Sequence, residues 1–363
     1  WHFKYMVNAL LNFPDIPLER TQRVLAEMER RYREAGHSLQ AVYKYRHRVA
    51  RHLGAADEAE EWYRRWITAP RDDLSDCAGC DPSSQVQHLA ATGRDEEAVA
   101  LAEPVLAGRL TCQEQPQGIL TSLLLPYLRS GRRDAARDAH RRAYRRIQGN
   151  IADLWDIGDH IEFCVYTDND VRGLELVQRH IDWLDRAPSP AAAMEFSAAA
   201  ALVLRRLAEA GYDDLTVHRR AYGDRPAQDV PVPVLADELA GLARDLAARF
   251  DARNGTSAQS ESIEKRMSVE PIGEPLPLSA TSGRRVRSRP TVVDTARRPT
   301  PAVPPRQPST APAASQAPDI PQDATPAELL DLAVECWRTE RYTDLVAVLA
   351  RYDERIGDEG PPL

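Results

Sequence analysis

Residues Asp76 to Tyr144 read DCAGCDPSSQVQHLAATGRDEEAVALAEPVLAGRLTCQEQPQGILTSLLLPYLRSGRRDAARDAHRRAY. Two helix-turn-helix units follow one another here. In the first, Val86 to Ala91 is helical and Gly93 turns. Ala98, Leu101, Ala102, Val105 and Leu106 then form a stripe at helical spacing. In the second, Leu120, Leu123, Leu124, Tyr127 and Leu128 precede Gly131, and Ala135, Ala136, Ala139, Ala143 and Tyr144 follow it. Three of the five cysteines fall at the joins: Cys77 and Cys80 before the first unit, Cys112 before the second.

The pattern extends in both directions. Upstream, residues 1–13 end a helix at Phe13-Pro14, and a second helix runs from about Pro17 to Ala35. Val42, Tyr45, Val49 and Leu53 then precede Gly54, and Ala59, Trp62, Tyr63, Trp66 and Ile67 follow it. Downstream, Leu154, Ile157, Ile161 and Val165 lead to a turn at Asp168-Asn169-Asp170 and on to Gly173, Leu174, Val177, Ile181 and Leu184. A weaker fifth unit is expected from Met194 through Leu207, with a turn at Gly211 and helix to about Tyr222. The small residues opening the second helices, Ala59, Ala98, Ala136 and Gly173, are separated by 39, 38 and 37 residues. A near-constant step of this size predicts an all-α, right-handed α-solenoid, because one hairpin cannot bury its stripe alone. Val234 to Phe250 reads as its closing helix, which sets the solenoid at residues 1–250. An opening without Met suggests a fragment whose first helices are missing.

Residues 251–325 are poor in apolar side chains, and thirteen prolines lie from Pro271 to Pro326. That composition predicts a disordered linker. Its arginines, Arg284 to Arg298, read as part of a spacer. Contact with an acidic partner, or phosphorylation at the flanking Thr291 and Thr300, are the alternatives. Residues 326–358 form a last helical hairpin, with Leu329, Leu330, Ala333, Cys336 and Trp337 before the turn near Glu340-Arg341 and Leu345, Val346, Val348, Leu349 and Tyr352 after it. A lone hairpin of this size is marginal and is expected to dock on something.

The 363 residues carry a net charge of −8, which gives no general field for nucleic acid. The longest apolar run, Ala191 to Leu204, is interrupted by Glu195 and is too short to cross a membrane. An odd number of cysteines without scaffold spacing points to a reducing cytoplasm.

The segments LGAADEAEEWYRRW, TGRDEEAVALAEPVL and SGRRDAARDAHRRAY resemble tetratricopeptide repeats, although the period exceeds that repeat's 34 residues. More narrowly, residues 13–184 resemble an actinobacterial group of TPR-like proteins. The resemblance rests on Cys77-x-x-Cys80, the GR-x-EEA turn, Cys112 followed by Pro116, LLLPYLR-x-GR, His140 and Tyr144 in HRRAYR, and RHIDWL. It implies a non-catalytic scaffold that binds a protein or peptide on the concave face. Tyr127, His140, Tyr144 and Arg145 are the expected groove residues. The alternative is a regulator whose terminal hairpin docks on its own solenoid until a ligand or phosphate releases it.

Cys77, Cys80 and Cys112 form a zinc half-pattern in adjacent joins. The resemblance places a histidine five positions after the third cysteine, but this chain has Gln117 there, a poor zinc ligand. His88 is the substitute fourth ligand, with Asp76 or Asp81 behind it. A structural zinc and a set of free thiols both remain open; a redox site lacks the strand-helix context it needs. His160-x-Glu162 does not make a zinc deaminase, because the Cys pair lies upstream without its Pro. No phosphate loop and no Ser/His/Asp constellation can be assembled, so no catalysis is expected.

Overall fold

The computed structural model describes residues 3–278, 320, 321, 323–338 and 342–356, in two units, residues 1–289 and 290–363. In the first, α1 (Phe3–Leu11) and α2 (Leu18–Glu34) precede four hairpins. These are α3 (Gln40–His52) with α4 (Ala56–Thr68), and α5 (Cys80–Ala91) with α6 (Asp95–Leu106). The third joins α7 (Gln117–Ser122) and α8 (Leu124–Arg129) to α9 (Arg133–Ile147), and the fourth pairs α10 (Leu154–Tyr166) with α11 (Asp170–His180). The second to fourth hairpins pack in order, α5 on α7 and α6 on α8, with α7 and α9 both reaching α10, and the first joins them through Tyr63 and Trp66 in the same core and the His47–His88 bond. The chain is predominantly helical, as expected. The first helix of the third hairpin is divided at Leu123. Pro126 has no N–H and its ring crowds the Ser122 carbonyl four residues back, which breaks the ladder there.

One turn recurs. Gly54, Gly93 and Gly131 have φ of 74°, 73° and 75°, and Asp168 takes the same left-handed state at 58°. The following N–H then reaches back five residues: Ala55 N to Ala50 O (3.0 Å), Arg94 N to Leu89 O (2.8 Å), Arg132 N to Tyr127 O (2.8 Å) and Asn169 N to Cys164 O (2.7 Å). This bond satisfies an end carbonyl of the first helix and reverses the chain in one step. Beyond the turn, Ala59, Ala98 and Ala136 are buried. A Cβ at Gly173 would come within 2.9 Å of Val203, so α11 approaches its neighbour too closely for alanine.

In the second and third hairpins the arginine after the turn glycine ties the hairpin to the one before. Arg94 Nη2 meets Glu60 at 2.9 Å, and Arg132 meets both oxygens of Glu96 at 2.8 and 2.7 Å. Arg206, five residues before Gly211, also reaches back to Asp170, at 3.1 and 3.2 Å. The exposed Arg132–Glu96 pair contributes little stability, on the order of 1 kcal/mol or less, whereas the Arg206–Asp170 pair is largely buried. Their value is in fixing the register of neighbours.

The fifth unit departs from expectation. Its first helix, α12 (Pro190–Glu209), is almost wholly buried, but no helix follows Gly211. The chain makes an antiparallel hairpin of β1 (Thr216–Arg219) and β2 (Gln228–Pro231). β-Branched Thr216 and Val217, the Gly223-Asp224 turn and Pro226 all oppose a helix there. The helical partner of α12 is instead α13 (Val232–Asn254).

Order also extends past the expected boundary at residue 250. α13 runs to Asn254, α14 follows at Ala258–Met267, and Leu276 and Leu278 are buried. Ile263, Met267, Leu276 and Leu278 are too widely spaced to look like a core segment, and a buried guanidinium does the rest. Arg266 pairs with Asp159 (2.6 Å), Glu162 (3.0 Å) and Glu195 (2.6 Å) on α10 and α12. Asp251 caps α14 by accepting from Gln259 N and Ser260 N, each at 2.9 Å. The remaining linker expectations, the arginine cluster and Thr291 and Thr300 included, lie outside the described residues.

These last helices meet the first ones. Arg253 donates to Phe13 O at 2.9 Å, Ala191 N to Asn12 O at 3.2 Å, and Gln259 to His52 O at 2.6 Å. The first helices α3, α10 and α12 thus all turn a side towards α13 or α14.

In the second unit, α15 (Pro326–Arg338) packs on α16 (Tyr342–Ile356) through Leu329, Ala333, Cys336, Leu345, Val348, Leu349 and Tyr352. Thr325 and Glu328 form a capping box, with Thr325 N donating to Glu328 Oε2 at 2.8 Å. The turn at Glu340-Arg341 lies outside the described residues.

Removing the buried cation tests the order of α14. Arg266→Ala leaves three carboxylates facing one another and is expected to cost about 3–5 kcal/mol in urea unfolding. The exposed pair Arg244–Glu264 serves as control, with Arg244→Ala costing under about 1 kcal/mol.

Candidate metal centre and the buried histidines

Cys80 is the first residue of α5, and Cys77 sits one turn before it. The N–H groups of Cys80 and Asp81 both donate to Cys77 O at 3.0 Å, so the Cys-Ala-Gly-Cys turn already begins the helix. Cys112 lies in the loop between α6 and α7. Gly79 allows the two loops to press together: a Cβ there would stand 3.4 Å from both Gln115 Cγ and the Thr111 carbonyl carbon.

The three sulfurs converge. All lie within 4.8 Å of one another, with Cys80 and Cys112 at 3.3 Å. Zinc–sulfur bonds of about 2.3 Å in a tetrahedron set sulfurs about 3.8 Å apart, between these two values. A disulfide needs about 2.05 Å, and all five cysteines are free thiols. The donor set therefore suits a thiophilic ion. Burial opposes ionisation of Cys77, but the N–H groups of Cys80 and Gly79 and the other two thiols outweigh it and hold Cys77 below the usual thiol range. Cys80 is pushed up, first by burial and then by Cys112 and the Cys77 charge; Cys112 is also raised, chiefly by burial. Cys77 is thus the thiol most readily ionised of the three, and a bound cation would drive the thiol protons off.

The expected fourth ligand is not among them. His88 stands eight residues beyond Cys80, about 12 Å along the helix. Its Nε2 faces Glu60 Oε2 at 2.9 Å and its Nδ1 faces His47 Nε2 at 2.9 Å. With the Glu60 carboxylate as acceptor, His88 Nε2 carries the proton, and its Nδ1 lone pair is taken by His47. No ring nitrogen remains for a metal. Asp76 and Asp81 are engaged as well. Lys44 Nζ reaches Asp76 at 2.6 Å and Asp81 at 3.0 Å, Gln40 donates to Asp81 at 2.8 Å, and Arg71 also meets Asp81. Lys4 Nζ donates to Leu74 O and Ser75 O at 3.0 Å. Two of the chain's three lysines are therefore buried where they hold the cysteine loop. Among the described residues no fourth Cys, His, Asp or Glu joins the three thiols. Gln117 begins α7, its Oε1 buried without a hydrogen-bond partner.

The expected groove residues divide. His140, Tyr144 and Arg145 do line one cleft, of about 310 Å³, with Arg141 of α9 and Gln148 just after it. Arg172 of α11 and Leu278 close it. They stand on a second helix rather than a first one. Tyr127 lies apart, buried in the core on α8.

The buried histidines are bonded to one another and to hydroxyls rather than free for ligands. His140 Nδ1 meets His160 Nδ1 at 2.9 Å, and His160 Nε2 meets Thr121 Oγ1 at 3.2 Å. Tyr144 Oη and His180 Nε2 are 2.9 Å apart. The bonded pairs His47–His88 and Thr121–His160 are 41 and 39 residues apart, close to the repeat step, and that is the signal that would have found them. His160 and Glu162 serve separate networks, the latter bound to Arg266. No family model matches the chain, and neither a curated protein nor a solved structure matches it.

Two outcomes are expected. Burial, the largest cause in each case, lowers His47 and His140 to about 3 and His52 and His180 to about 4. In the unfolded chain they titrate near 6.5. Below that pH the unfolded state takes up protons that the folded state refuses. Stability is thus complete above about pH 6.5 and falls by up to about 1.4 kcal/mol per pH unit for each such histidine as pH drops towards 4. Urea midpoints at pH 7.5 and 5.0 measure this. For the thiols, protein purified without chelator should carry about one thiophilic metal ion per chain, and Cys112→Ser should lower both metal content and melting temperature. Metal-free protein with an unchanged melt would remove the centre.

Proposed function

We propose that the chain is a non-catalytic recognition protein: a right-handed, TPR-like solenoid of helical hairpins that binds a protein or peptide ligand. The Cys77–Cys80–Cys112 centre takes a structural zinc, which clamps the second hairpin to the third rather than performing chemistry. The observation that carries the recognition reading is the α9–α11 cleft. It gathers three of the four residues singled out for binding, with an aromatic ring, amide and guanidinium groups presented together.

This moves the ligand from the first-helix side to the second-helix side. Contacts of α3, α10 and α12 with α13 and α14 favour that change, since a groove on those helices already holds the chain's own C-terminal helices. A self-covering regulator is the second reading. The seat of Arg266 among three carboxylates favours it, with α14 in the role first given to residues 326–358.

The guanidinium groups of the cleft favour acidic ligands. Labelled acidic peptides should bind the full chain in fluorescence anisotropy, while basic peptides of equal length should not. Arg141→Glu with Arg145→Glu should weaken the acidic set at least about tenfold, about 1.4 kcal/mol. Equal binding of both sets, or no effect of the double variant, would remove the cleft as the recognition surface.

A further inference from the structure

The α9–α11 cleft carries more positive charge than its surroundings neutralise. Arg141 and Arg145 stand four residues apart on α9, both exposed. Arg179 of α11 donates to Gln148 Oε1, at 2.5 Å, and Gln148 lines the same cleft. None of the three makes an ion pair among the described residues. Other arginines of α9 do: Arg137 meets Asp134 at 2.7 Å and Arg142 meets Asp138 at 3.2 Å. Like charges four residues apart on a helix repel. The Arg141–Arg145 pair therefore works against its own helix unless an anion sits between.

The rest of the cleft suits such an anion. Arg172 is already offset by Glu175 at 2.6 Å, and its guanidinium is 5.4 Å from the centre of the Tyr144 ring, which limits its freedom. His140 is buried and adds no charge near neutral pH, because burial holds its pKa to about 3. The volume of about 310 Å³ is at the small end for a small-molecule pocket, suited to one side-chain group rather than a long segment. A carboxylate brings one negative charge. A phosphate monoester brings about −1.5 to −2 at pH 7 and three acceptor oxygens, the better match to several unpaired guanidinium groups.

We propose that this cleft binds the phosphoryl group of a phosphorylated serine or threonine side chain in a peptide ligand. The inference rests on the recognition reading above and narrows it. Free phosphate esters share the chemistry, so the experiment must separate the two sources.

The test uses the full chain and labelled degenerate peptide libraries with a fixed central phosphoserine, glutamate or serine, read by anisotropy. The phosphoserine library should bind at least about tenfold tighter than the glutamate one, and the serine library should not bind. Affinity should rise several-fold from pH 5.5 to 7.5, as the phosphate loses its second proton near pH 6. Arg141→Ala with Arg145→Ala, both exposed, should abolish the preference while the melting temperature stays unchanged. Equal binding of phosphoserine and glutamate overturns the phosphoryl assignment and leaves acidic-peptide recognition standing. Failure of both overturns the two together. Inorganic phosphate binding as tightly as the library overturns the peptide source.

Discussion

Everything in the first unit depends on one backbone geometry: a residue in the left-handed region at the end of each first helix. A helix end leaves carbonyls without partners, and burying it in a stack makes that costly. The left-handed residue bends the chain so that the next N–H reaches back five residues to one of them. The same step sends the second helix back along the first, and a small residue a few positions on lets the two close. In the fourth hairpin Asp168 takes the state without glycine, and the bond back to Cys164 is the shortest of the set. The geometry is conserved from hairpin to hairpin while the residue that supplies it varies.

Between hairpins, specific polar contacts add to a continuous apolar core. Arginine–carboxylate pairs set register at the turn edge, and bonded histidines do so inside. The joins around the cysteines are different again. There the chain commits buried lysines to carbonyls and carboxylates, and spends Asp76 and Asp81 in the process. These contacts hold the loop so that the three sulfurs converge within 4.8 Å, close enough to hold one metal ion.

The sequence made the hairpins legible because three signals coincided: a turn residue, a small residue and an apolar stripe, all at one step. The cysteine cluster was legible for the same reason, since equivalent joins lie side by side. What stayed hidden depended on long-range contact. Arg266 is an unremarkable basic residue until Asp159, Glu162 and Glu195 surround it, so α14 looked like linker. His88 looked free because its partners, His47 and Glu60, come from other helices. The residues after Gly211 form a strand hairpin for a local reason, the β-branched and glycine-proline content of residues 216–226, which outweighs the repeat pattern.

The contacts of Arg253, Ala191 and Gln259 with residues 12, 13 and 52 have a thermodynamic meaning of their own. An open stack of repeats unfolds from its ends, each terminal hairpin melting with only one interface to lose. Here the terminal helices are one another's neighbours. Opening either end of the described stretch therefore breaks contacts with the other end as well as with its own neighbour. Amide hydrogens across residues 3–278 should then exchange as one cooperative body, with protection that does not decline towards either end.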